Sequence, residues 1–111
     1  MHTPVHGASE FLDAVSSWFQ ARASDDPSLI KSSTEHRDAG RSTLGIEVET
    51  PHAVGSIRAW THATCLDTDV LDLCSNDIVL SEAGPVAGLE GAVERLERFW
   101  RKLSDINRAA V

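Results

Sequence analysis

The spacing of apolar residues changes period twice along this chain, and that change limits the folds open to it. Near the start, Phe11, Val15, Trp18 and Phe19 recur at i, i+4, i+7 and i+8, which draws one stripe along a helix. From residue 44 the period drops to two. Leu44, Ile46 and Val48 alternate with Gly45, Glu47 and Glu49, the pattern of a half-buried strand. Near the end the helical period returns, with Leu89, Val93, Leu96, Phe99, Trp100 and Leu103 on one broad apolar face. A helix, a run of strands and a second helix must share one core.

Local signals set the expected boundaries. Ser9 is placed to cap the first helix, with Glu10 and Asp13 in its first turn, where negative charge suits the helix dipole. Ala23-Ser24-Asp25-Asp26-Pro27 ends it, because proline disfavours a helical residue before it. Gly84-Pro85 breaks the chain ahead of the last helix, where Glu94→Arg98 and Glu97→Arg101 are spaced for i,i+4 ion pairs. Between the helices, Pro51-His52 marks a turn, and Val54 to His62 reads as a strand with Ile57 and Trp60 as its bulky members. Leu66 to Leu73 follows, carrying Asp67, Asp69 and Asp72. Cys74-Ser75-Asn76-Asp77 is turn chemistry, and Ile78-Val79-Leu80 returns. Leu29 to Ser33 is a candidate edge strand.

Connections this short join only antiparallel neighbours. The expected fold is α+β: an antiparallel three- to five-stranded meander with the N-terminal and C-terminal helices packed on one face. Trp18, Phe19, Leu96, Phe99 and Trp100 should form the core between helices and sheet. The other sheet face should show water the side chains of the acidic strands. A chain of 111 residues has room for one such domain, 1–111, with residues 1–8 and 107–111 expected to be mobile.

Charge is unevenly spread. The net formal charge is −7. Residues 1–42 carry six acids and four bases, residues 43–92 carry eight acids and only Arg58, and residues 93–111 carry three acids and five bases. The strand region owns the whole imbalance. A field of that sign repels nucleic acid and anionic membrane surfaces and attracts basic partners. No run approaches the roughly 18 apolar residues of a membrane span, and the first residues lack a signal-peptide pattern, so a cytoplasmic protein is expected.

Catalytic signals are sparse. Gly84, Gly88 and Gly91 are punctuation around a helix start rather than a phosphate loop. The histidines are scattered, and an odd offset on a strand puts His62 and Cys65 on opposite faces. Cys65 and Cys74 flank one strand, about 30 Å apart at ~3.3 Å per residue, too far to bridge. Asp67-Thr68-Asp69 sets two carboxylates on one strand face, but a hard cation needs further ligands and none is marked. Neither an enzymatic activity, a metal nor a cofactor is expected. The residues expected to meet a partner are Trp60, flanked by Arg58 and His62, and the acids Glu47, Glu49, Asp67, Asp69 and Asp72.

The stretch Gly55-Ser56-Ile57-Arg58-Ala59-Trp60, then Leu66-Asp67-Thr68-Asp69-Val70-Leu71-Asp72, then Ser75-Asn76-Asp77 and a closing amphipathic helix resembles the TriTu family of bacterial immunity proteins over residues 42–104. The turn Ser-Asn-Asp and the loop Thr61-His62-Ala63-Thr64 depart from that family's pattern. The resemblance implies an antitoxin that binds and occludes a cognate toxin of a polymorphic toxin system. The acidic sheet would dock on a basic toxin surface, such as a nuclease's. Two other classes remain open: a secretion chaperone or adaptor for an export substrate, and a small enzyme or ligand-binding domain using the sheet–helix crevice.

Overall fold

A computed structural model describes residues 5–38, 42–61 and 64–110. The period changes become α1 (Val5–Asp25), β1 (Ser32–Asp38), β2 (Thr43–Glu49), β3 (Ala53–Trp60), β4 (Cys65–Asp72), β5 (Asp77–Glu82) and α2 (Gly88–Ala109). Each strand pairs antiparallel with the next, giving the order β1-β2-β3-β4-β5. This is the expected α+β meander with a helix at each end. Leu44, Ile46 and Val48 of β2, Ala53, Ile57 and Ala59 of β3, and Leu66 and Val70 of β4 are buried on one face. Both helices cover that face, with Phe11, Leu12, Val15 and Phe19 from α1 and Leu96, Phe99 and Leu103 from α2 completing the core. Gly55 lies directly beneath α2: a Cβ there would stand 2.6 Å from the Phe99 ring.

Several elements differ from the sequence reading. The edge strand is Ser32–Asp38, not Leu29 to Ser33. Leu29 is buried and Ile30 packs on the core, so their apolar side chains belong to the loop that leads into β1. Every residue of β1 is exposed. Polar contacts hold it to α1: Ser16 and Gln20 donate to Glu35, and Arg37 pairs with Asp13 at 2.7 Å. At its start, α1 begins at Val5, so Ser9 lies inside the helix rather than at its cap.

The α2 stripe is shorter than its pattern. Leu89 and Val93 are exposed, and the buried set begins at Ala92. The expected i,i+4 pairs give way to longer ties. Glu97 meets Arg22 and the Trp18 indole of α1, while Arg98 reaches Glu82 of β5 at 3.0 Å. Trp18 is half-buried rather than buried, because its indole sits at the α1–α2 seam. Its ring stands 6.1 Å from Trp100 in an edge-to-face contact, with the Arg22 guanidinium over it.

The far end of α2 is tied down where fraying was expected after Ile106. Asn107 is buried and accepts the His52 amide at 2.9 Å. Its amide nitrogen donates to Thr50 Oγ1 and to the Leu103 carbonyl, both at 2.8 Å. Thr50 is also buried, and its hydroxyl donates to the Ala53 carbonyl. The network closes the β2–β3 turn onto the helix, with each buried polar group bonded.

Candidate protein-binding face

The second face of the sheet has no described helix on it. Alternation sends to this face His36 and Asp38 of β1, Gly45, Glu47 and Glu49 of β2, and Val54, Ser56, Arg58 and Trp60 of β3. From β4 come Cys65, Asp67, Asp69 and Leu71. Five of the six residues expected to meet a partner thus share one surface: Trp60, Glu47, Glu49, Asp67 and Asp69. They form two acidic lanes, on β2 and β4, with β3 between them. Adjacent strands lie about 4.8 Å apart, so the lanes are roughly 10 Å from each other.

The acids are not equivalent. Glu47 is exposed and has no hydrogen bond or ion pair among the described residues. Glu49 faces Lys31 at 3.6 Å. Asp67 accepts the Gly84 amide at 3.1 Å, which fastens the chain leaving β5. Asp69 accepts the Ser81 hydroxyl at 2.7 Å across the β4–β5 pair. Asp72 stands apart from the lanes. It ends β4 opposite Ala53, a core-facing position, and its carboxylate accepts the Cys74 amide at 2.9 Å. Asp72 is a turn-former, closing the β4–β5 hairpin in which Asn76 takes a left-handed φ of 64°.

Between Trp60 and the β2 lane is a depression of ≈ 370 Å³. Gly45 makes it, since a strand position without a side chain leaves the floor open and a Cβ there would meet nothing within 4 Å. Trp60, Arg58, His36, Asp38 and Glu47 wall it. Trp60 is half-buried, and Arg58 is exposed with no ion pair among the described residues. His62, the other expected neighbour of Trp60, lies outside the described residues. Neither Gly45 nor His36 was singled out by sequence, although a glycine inside an alternating strand is a known sign of close approach by another group.

At the opposite corner of the same face the character changes. Val54 and Leu71 are half-buried, and Ile78, paired with Leu71, is 67% exposed. Both thiols are free, Cys65 half-buried and Cys74 exposed. Among the described residues no group of three or more His, Cys, Asp or Glu is placed to hold a metal, and no helix is long and apolar enough to cross a membrane.

Comparison with known proteins identifies no relative: no family model, no curated protein and no solved structure matches the chain.

Proposed function

We propose that this protein is an immunity factor, an antitoxin that binds a cognate bacterial toxin domain in the cytoplasm and occludes it without catalysis. The observation that carries the reading is the open sheet face, where two acidic lanes run on either side of β3, with a half-buried Trp60 at the end of that strand and a depression beside it. A surface of this kind suits a basic partner. Complementary charge raises the encounter rate, and a partially covered aromatic beside a hollow supplies an anchor. The short motif resemblance to the TriTu family supports the same reading. The basic substrate groove of a nuclease is the kind of toxin surface such a face would cover. A second reading, an adaptor for an export substrate, draws on the exposed Leu89 and Val93 of α2. Dimerisation through that helix would favour it.

The test is co-expression with the product of the adjacent gene, followed by growth rescue and association kinetics. Glu47→Lys reverses an exposed charge that has no partner among the described residues, so the fold should be unaffected. Gly45→Phe fills the depression, where there is space for a side chain. We expect Glu47→Lys to slow association at low salt and flatten its salt dependence, and Gly45→Phe to speed dissociation. Absence of a complex with the adjacent product would remove the immunity reading. Unchanged rates in both variants would remove this face from it.

A further inference from the structure

The two edges of the sheet are finished differently. β1 is exposed throughout and carries Glu35, Arg37 and Asp38, the kind of charged residues that keep an edge from pairing with another chain. β5 has charge only at its ends, Asp77 and Glu82, with Ile78, Val79, Leu80 and Ser81 between. Ile78 is 67% exposed and Val79 37%, and Leu73 just before the hairpin turn is 44% exposed. An irregularity in the β4–β5 register leaves Val79 with no partner on β4. No described strand lies beyond β5, so its outward N–H and C=O groups form an open ladder. Beside that ladder, Val54, Leu71 and Ile78 make an apolar row on the open face.

We infer that β5 accepts an extended, basic segment of the partner protein as a sixth strand. Backbone hydrogen bonds along the edge supply affinity, and alternate side chains of the incoming strand cover Ile78 and Leu71. Charge selects the occupant. Asp77 opens the strand and Asp69 lies next to it on β4, while Glu82 at the far end already pairs with Arg98 of α2. A basic flank on the incoming strand meets Asp77 and Asp69. A second copy of this chain would bring net −7 to net −7, and in-register antiparallel pairing of two β5 strands would set Asp77 opposite Glu82. This inference shares with the immunity reading only that the partner is a protein. It concerns a different contact from the acidic lanes.

The probe is a short synthetic peptide of alternating Val and Thr flanked by lysines, added to the intact protein. The readouts are amide NMR shifts and amide hydrogen exchange. The expected result is a several-fold slowing of exchange confined to Asp77–Glu82, with shifts extending to Leu71 and Val54. Ile78→Lys and Val79→Lys, each checked by thermal melting to be folded, should abolish it, and Glu47→Lys should leave it in place. Equal protection by the same peptide with glutamate flanks would overturn the charge argument. Equal protection by a peptide N-methylated on alternate amides would overturn strand addition. Protection without peptide, growing with protein concentration alongside a dimer by sedimentation, would overturn the basic partner in favour of a second copy.

Discussion

Thr68 sits at the centre of β4 with no solvent exposure, and its hydroxyl has no hydrogen-bond partner among the described residues. A buried hydroxyl without a partner carries a desolvation cost on the order of 1–3 kcal/mol. Thr68→Val keeps the branched shape and removes the orphan oxygen, so we expect a more stable protein. A rise in thermal midpoint of a few degrees is the result to look for, and a fall would mean that the hydroxyl has a partner in solution. Two glycines on opposite sheet faces make a paired test. Gly55→Ala drives a Cβ into the Phe99 ring and against Leu103, and overpacking of this kind costs roughly 1–3 kcal/mol. Gly45→Ala points into open space, and a strand gains by losing glycine's backbone freedom, about 0.5–1 kcal/mol. Chemical denaturation of the two variants should move their midpoints in opposite directions.

At the scale of elements, α2 shows how far a helical pattern can be trusted. Its stripe reads continuously from Leu89 to Leu103, yet Leu89 and Val93 are exposed and the covered part of the stripe is Leu96, Phe99, Trp100 and Leu103. Leu96→Ala should cost about 2–5 kcal/mol, as for a large-to-small change in a core. Leu89→Ser should stay within roughly 0.5 kcal/mol, as exposed substitutions do. Equal losses, measured by urea unfolding, would put Leu89 in the core. Periodicity reports which residues share a face, and it carries no information about where the neighbouring element stops. The same limit explains β1. Ser32–Asp38 has no apolar alternation to read, because every residue of the strand is exposed and it is held by its ladder to β2 and by polar ties to α1. The acidic lanes were legible because Glu47, Glu49, Asp67 and Asp69 occupy the polar phase of strands whose apolar phase is clear. Asp72 falls in the other phase, and its place two residues before Cys74 at a hairpin marks a turn-closing carboxylate. The depression over Gly45 depends on side chains from three neighbouring strands, a juxtaposition that spacing along one strand does not show.

For the whole molecule, the joint between α1 and α2 is the contact that unites the two ends of the chain. Trp100 is 7% exposed and meets Trp18 at 6.1 Å and Phe19 at 6.2 Å, both from α1. Truncation to alanine should cost about 3–5 kcal/mol, a large part of the 5–15 kcal/mol that holds a typical domain folded. The ion pair of Arg22 with Glu97 beside it is partly exposed and screened, so Glu97→Gln should cost well under about 1 kcal/mol. Thermal unfolding of the two variants followed by near-ultraviolet circular dichroism separates the terms. A large loss in Glu97→Gln with a small one in Trp100→Ala would reverse their order.

The strand order β1-β2-β3-β4-β5 has a consequence for the way the chain reaches this structure. Every ladder joins neighbours in sequence, so each hairpin closes over a short loop and little chain entropy is lost before its first contacts form. Such low contact order belongs to chains that fold quickly. The distant joining step is different in kind: α2 must return across the sheet to meet α1, from which the whole meander separates it in sequence. Until it does, Ile57, Leu66 and Val70 face water on a finished sheet. The interval between hairpin closure and helix docking is therefore when the chain is most exposed to aggregation.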